Sequence, residues 1–293
     1  MNSFISKIPK VWYAILLYFC IVELALLFTS PKLFLSLDFF LVRLIFFTIL
    51  LFLIFLKDKL SDKNFDFLNA LLVFALMSFL YKETAILNTL VFPKIDFILA
   101  NIDEKLFGFQ PSIEFSKKYN SLFFNEIFYF GYFCYYFLPL IVLGILYKFS
   151  PQKIEEFGFI LISSFLLYYF IFIVIPAEGP QFYFSFPDNY IEAQGIFGNL
   201  VKLIQKSGEA PTAAFPSSHV GISWIVIFWL YQNFRKSVKY FLPFVVLLMF
   251  STVYIKAHYF VDVVAGFLTA PIVFFLTFKF YKFLNRKLNG NPN

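Results

Sequence analysis

The sequence predicts an all-α fold, a polytopic bundle of about eight transmembrane helices. Three observations carry that prediction. Hydrophobic residues make up 60% of the 293 and charged residues 14%, well under the roughly 25% charged residues of soluble proteins. The mean hydropathy is +0.78, and several apolar runs reach about 20 residues, enough to cross roughly 30 Å of hydrocarbon at about 1.5 Å per residue. These runs are apolar all round, without the polar face that a soluble amphipathic helix carries.

Taken in order, spans are expected near 11–29, 34–56, 66–82, 122–147, 157–175, 217–233, 238–256 and 260–282. The first follows Lys7 and Lys10, and no small-residue cleavage site precedes Pro31. It is therefore expected to be a retained helix rather than a cleaved signal. Residues 57–63, Ser150-Pro151-Gln152-Lys153 and Arg235-Lys236-Ser237-Val238-Lys239 punctuate the spans as short loops. Residues 83–121 are too polar to cross. Asp96-Phe97-Ile98-Leu99 and Asp103-Glu104-Lys105-Leu106 suit one or two short helices lying on the membrane surface. A second long polar stretch occupies 176–216. Residues 1–63 then form two extra N-terminal helices, and 64–293 a six-helix membrane domain with outward-facing loops 83–121 and 176–216. Cys20 and Cys134 fall within spans and read as small core residues, not as a disulfide or a metal site.

The net charge of +6 is spread between spans, so the lysines and arginines act as topology signals and not as a nucleic-acid surface. Counted over the termini and short loops, they place both termini and the 235–239 loop in the cytoplasm. Both long polar stretches and the 256–260 turn then face the extracytoplasmic side.

Only two histidines occur, and both lie in short polar motifs at the mouths of spans. A titratable group in so apolar a chain is costly unless it is used. His258 opens Ala257-His258-Tyr259-Phe260-Val261-Asp262. Positions i and i+4 share a helix face, so Asp262 can accept the Nδ1–H of His258 and leave Nε2 as a nucleophile. An ordinary His–Asp pair satisfying itself at the interface has the same spacing. His219 lies in Phe215-Pro216-Ser217-Ser218-His219-Val220-Gly221. Pro216, Ser217 and Ser218 suit a helix start, whose free N–H groups bind anions, and an imidazole in that turn can protonate a leaving oxygen. A capped helix with an incidental histidine fits that motif alone. Topology puts both histidines on one membrane face. A third motif, Pro176-Ala177-Glu178-Gly179-Pro180-Gln181, sets a rigid turn after the fifth span.

The order of these motifs resembles the type 2 phosphatidic acid phosphatase superfamily. The stretch from Ala257 to Gly266 is closest to its inositol phosphorylceramide synthase-like branch. The resemblance is strong over about 210–270, extends to the six spans from 66 onward as the family's helical core, and does not reach the first two spans. Carried over by position, it implies His258 as the nucleophile of a phospho-histidine, Asp262 as its orienting carboxylate and His219 as general acid. Ser217, Ser218 and local N–H groups would hold phosphate oxygens. It implies neither metal nor cofactor. The expected partners are a membrane lipid substrate and a lipid or alcohol acceptor.

The departures bear on substrate. The phosphatase pattern carries a lysine and an arginine in its first motif and an arginine six residues before the nucleophile. Here those places offer Gln181 and Thr252, with Lys256, Lys202 and Lys206 as nearby cations. Fewer fixed cations suit a phosphodiester, with one charge, better than a phosphomonoester, with nearly two. The expected activity is transfer of a phospho-headgroup. Hydrolysis of a lipid phosphate is the alternative, and a transporter or a non-catalytic family member are the remaining readings. Glu23, Asp38, Arg43 and Glu126, in or near spans, are expected to pair with neighbouring helices. Asn88, Glu114 and Asn125 are open between a headgroup role and ordinary interface polarity.

Overall fold

The computed structural model describes residues 7–88, 90 and 92–288, and these are helical without strands. The principal helices are α1 (Lys10–Thr29), α2 (Leu37–Leu56), α3 (Asp62–Leu87), α4 (Asp96–Phe107), α5 (Pro111–Lys118), α6 (Leu122–Phe149), α7 (Ile154–Val174), α8 (Gly195–Gly208), α9 (Ser218–Asn233), α10 (Val238–Tyr254) and α11 (Phe260–Leu288). Among the described residues, seven helical segments are long and apolar enough to span a bilayer: α1, α2, α3, α6, α7, α10 and α11, with short 3₁₀ turns preceding α7 and α10. The protein is a multi-pass membrane protein. The remaining expected span, 217–233, is the 16-residue helix α9, ten of whose residues are buried. It is shorter than the roughly 20 residues of an ordinary crossing.

The chain divides into two compact units. One comprises Met1–Leu80, Leu140–Leu167 and Phe275–Asn293, the other Tyr81–Pro139 and Tyr168–Phe274. In the first, Trp12 is 1% exposed and its indole N–H donates to Asn69 Oδ1 at 3.1 Å, so it packs inside rather than anchoring at an interface. Arg43 finds its carboxylate on a neighbouring helix, with Nε donating to Glu23 Oε1 at 2.6 Å. Cys20, expected in the core, is exposed on α1, and Cys134 is half-buried. On a helix apolar all round, hydropathy does not separate a core-facing position from a lipid-facing one.

The second unit contains every motif singled out above. Of the polar stretch 83–121, the first five residues end α3, and Asp96–Phe107 and Pro111–Lys118 form the two short helices α4 and α5. α4 buries Asp96, Leu99, Ala100 and Asp103, the i, i+3, i+4, i+7 face of a helix. Its two acids are not surface polarity. Asp96 accepts the N–H groups of Glu178 and Gly179 at 2.9–3.1 Å and the Tyr259 hydroxyl at 3.1 Å, tying the Pro176–Gln181 turn to the loop that bears His258. Gly179 has φ of +90°, and a Cβ there would lie 2.8 Å from the Ala257 carbonyl oxygen, so glycine is required at this approach.

Asp103 accepts the N–H groups of Phe260 and Val261 at 2.7 and 3.0 Å, two of the first amides of α11. A helix start leaves such amides without intrahelical partners, and a carboxylate there also matches the helix dipole. Asp103→Ala is expected to strand both donors and cost about 2 kcal/mol of stability. Thermal unfolding in detergent should show a lowered midpoint, with Lys105→Ala, on the exposed face of the same helix, unchanged.

Candidate active site

His219 and His258 are brought together by two helix starts that lock to each other. Ser217 caps α9, its Oγ accepting the Val220 N–H at 3.4 Å. Its own N–H donates to the Asp262 carbonyl at 3.0 Å, which joins the first turn of α9 to the first turn of α11. Gly266 permits that approach, because a Cβ there would stand 2.4 Å from the Ser217 carbonyl oxygen. The Ser217 amide is thus already used. Among the described residues, those of Ser218 and His219 are the amides at the start of α9 that no acceptor engages.

The loop between α10 and α11 presents His258. Thr252, where the phosphatase pattern has arginine, ends α10 by accepting the Ala257 and His258 N–H groups on its carbonyl at 3.0 and 3.1 Å. His258 is 2% exposed. Its Nδ1 lies 2.8 Å from the Ala214 carbonyl oxygen and 3.5 Å from Asp262 Oδ2. Both neighbours are acceptors, so Nδ1 carries the proton and Nε2 the lone pair. The nearer orienting group is therefore the Ala214 carbonyl. Asp262 Oδ2 accepts the Tyr259 N–H at 2.9 Å, and Asp262 Oδ1 is buried with no hydrogen-bond partner among the described residues. Burial pushes the His258 imidazole down to about 4, with the Ala214 hydrogen bond partly offsetting it, so the ring is neutral at pH 7.

His258 Nε2 meets His219 Nδ1 at 3.0 Å. On the other side of the His219 ring, Nε2 lies 2.9 Å from the Tyr132 hydroxyl. Tyr132 in turn lies 3.2 Å from Glu209 Oε1, and Glu209 also accepts from Gln181 Nε2 and Gln205 Nε2, each at 2.8 Å. The rings of Tyr132 and Tyr135 pack on His219 at centroid distances of 4.9 and 4.4 Å.

The residues expected to bind phosphate are placed unequally. Ser217 and Ser218 stand at the α9 start beside His219. Gln181 donates its side-chain amide to Glu209 and its backbone N–H to the Lys256 carbonyl. Lys256 has φ of +66°, and its buried ammonium donates to the Ser112 carbonyl of α5 at 3.0 Å, not toward the imidazoles. Burial, with Lys117 nearby, pushes it down to about 8. Lys202 is lowered by burial, and Glu209 opposes that shift. Asn88 and Asn125 hold loops: Asn88 Nδ2 donates to Thr212 Oγ1, and Asn125 bonds the backbone of Glu192 and Gln194. Among the described residues, no group of three or more His, Cys, Asp or Glu is arranged to hold a metal ion.

A family model described as the PAP2 superfamily matches residues 99–276, which include both imidazoles, the groups hydrogen-bonded to them and most of the chain. The chain belongs to the PAP2 superfamily. No curated protein and no solved structure matches it. Membership supports a phosphatase-type enzyme at the level of the superfamily, and the imidazole pair lies within the matched stretch.

Four contributors were not legible as site residues. Asp96 and Asp103 had a usable signal, two acids seven apart with Leu99 and Ala100 between them. Glu209 and Tyr132 had none. One sits in a polar loop and the other in a span rich in tyrosine and phenylalanine.

Proposed function

We propose that this protein transfers a phospho-headgroup between membrane lipids, or from a lipid to an alcohol, through a phospho-histidine on His258. The observation that carries this reading is the lone pair of His258 Nε2, fixed by the Ala214 carbonyl and directed at His219 Nδ1 at 3.0 Å. A nucleophile and a proton donor share one small buried volume. In the first half-reaction an Nε2–P bond forms, the P–O bond to the leaving group breaks, and His219 Nδ1 gives its proton to the leaving oxygen. In the second, an acceptor O–H gives its proton to His219 Nδ1, its oxygen bonds phosphorus and the N–P bond breaks. The amides of Ser218 and His219 offer donors for the non-bridging oxygens. Asp262 would orient His258 alongside Ala214.

A lipid substrate is supported by an apolar cavity of about 750 Å³. Phe115 and Tyr119 of α5 and its border line it together with Met249, Val253, Phe260 and Val263, and Glu114 and Lys118 add polar groups. Val263 adjoins Asp262 in sequence, and Val253 adjoins Thr252. A diester is supported by charge. The Lys256 ammonium is held by Ser112, and Glu209 places a carboxylate one hydroxyl away from His219. That surrounding suits one phosphate charge better than two.

The test is purified protein in detergent with headgroup-labelled and phosphate-labelled lipids. Transfer of a labelled phospho-headgroup from a diester to an alcohol is expected. Rapid release of inorganic phosphate from phosphatidic acid, with every diester untouched, would make it a lipid phosphate phosphatase instead.

We also propose that the site opens on the extracytoplasmic face, as the lysine and arginine distribution indicates. A cysteine introduced near residue 195 should react with an impermeant thiol reagent added to intact cells, and one near 237 only after permeabilisation. The opposite pattern would place the site on the cytoplasmic face.

A further inference from the structure

We infer that Glu209, acting through the Tyr132 hydroxyl, is a positioning group that holds the second proton of His219 and so sets it as the acid of the reaction. This rests on the reading of the site as a phosphoryl-transfer centre.

Each proton along one chain of hydrogen bonds can be assigned. His258 Nδ1 bears a proton because it faces the Ala214 carbonyl. His258 Nε2 is then an acceptor, so the proton in the 3.0 Å contact with His219 belongs to His219 Nδ1. The far nitrogen, His219 Nε2, meets the Tyr132 hydroxyl at 2.9 Å, its one hydrogen-bond partner among the described residues. That hydroxyl has one proton, with His219 Nε2 and Glu209 Oε1 as its ring and carboxylate acceptors and the Tyr136 hydroxyl as a further neighbour. When the tyrosine proton points to His219, the imidazole is neutral. When it points to Glu209, His219 Nε2 can carry a proton of its own and donate it to the tyrosine oxygen. The carboxylate thereby stabilises the imidazolium through one hydroxyl, although burial works against the charge.

Two further observations give Glu209 this purpose. Gln181 and Gln205 each donate to it, so the carboxylate is solvated by amides without needing Tyr132. Gln205 is buried, its side-chain oxygen has no partner among the described residues, and its side-chain amide donates to Glu209. The groups facing His219 are otherwise His258, with Asp262 behind it, and the Tyr132 and Tyr135 rings. Lys202 is a cation close enough to Glu209 to feel its charge.

The arrangement keeps the books of the reaction. With Glu209, Tyr132 and His219 Nε2–H in line, His219 Nδ1 gives its proton to the leaving oxygen and becomes a bare acceptor. It then takes the proton of the incoming O–H. Nothing else in the chain has to move, and the same tautomer serves both half-reactions.

Two histidines in the chain make the test direct. Ring-labelled histidine gives two imidazole signals by NMR in detergent, and a His258→Gln protein leaves His219 alone for assignment. Glu209→Gln is expected to lower the pH at which His219 takes its second proton by about one unit or more. Tyr132→Phe should do the same, and the double variant should add little to either, because both break one chain. If one variant fails to fold, the other carries the same measurement. In turnover assays, both should lose about tenfold or more with a poor leaving group and much less with p-nitrophenolate. An unchanged His219 titration in a folded Glu209→Gln or Tyr132→Phe protein would overturn the inference. So would equal rate losses for both leaving groups. A wild-type protein without any phosphoryl transfer would sink the functional reading instead, and the titration would still decide the role of Glu209.

Discussion

His258→Ala is expected to abolish turnover, with a loss of at least about 10⁴-fold, because no other group in the site carries a lone pair held for attack. Asp262→Asn should leave a reduced but measurable rate. The Ala214 carbonyl, at 2.8 Å, still holds the Nδ1 proton when the carboxylate at 3.5 Å is gone. The pH profile follows from the same burial. The imidazole must be neutral to attack, and its value is pushed down to about 4. The acid limb due to the nucleophile should therefore lie near pH 4, not near the ordinary 6.5. Stability moves the other way. The folded protein resists protonating His258, whereas the unfolded chain protonates it at about 6.5, so stability contributed by the neutral ring is lost as pH falls from about 6.5 through 4. Melting in detergent across that window, against rate measured at a temperature well below the midpoint, separates the two effects.

The second large effect belongs to His219→Ala. A positioned general acid contributes on the order of 10²–10⁴ in rate, so a lipid alkoxide leaving group should suffer a loss of that size. A p-nitrophenyl phosphodiester, whose leaving group needs little protonation, should lose much less. The comparison is kcat/KM for both substrates in both proteins. Equal losses would remove His219 from the acid role and make it a structural partner of Tyr132 and His258.

Seven of the eight spans expected from hydropathy are helices long and apolar enough to cross, because a bilayer imposes a length that composition reveals directly, and the eighth, 217–233, is the shorter helix α9. Reading the chain also located both histidine motifs, since imidazoles are costly in such a chain and stand out. It did not assign faces. Cys20 is exposed where core was expected, and Asp96 and Asp103, in a stretch expected to form short helices on the membrane surface, are buried. The cause is the same in both cases. Hydropathy is averaged over a helix, whereas burial is decided by which face meets a neighbour. The i, i+4 rule paired His258 with Asp262, yet the closer acceptor is a backbone carbonyl 44 residues away, and no side-chain spacing encodes a carbonyl. Gln181 and Lys256 lie near the site in sequence terms, but their amide and ammonium bond Glu209 and Ser112. A cation counted from sequence is not one available to a phosphate. An arginine at position 181 would accordingly meet Glu209 first, so that substitution alone does not recreate the phosphatase pattern.

The most direct measurement is chemical trapping of the intermediate. Protein incubated with a lipid labelled at phosphorus, quenched in alkali where phospho-histidine survives, should yield one labelled peptide carrying His258, and the label should be absent from His258→Ala. Label on another residue, or none from a preparation that turns the same lipid over, would contradict the account.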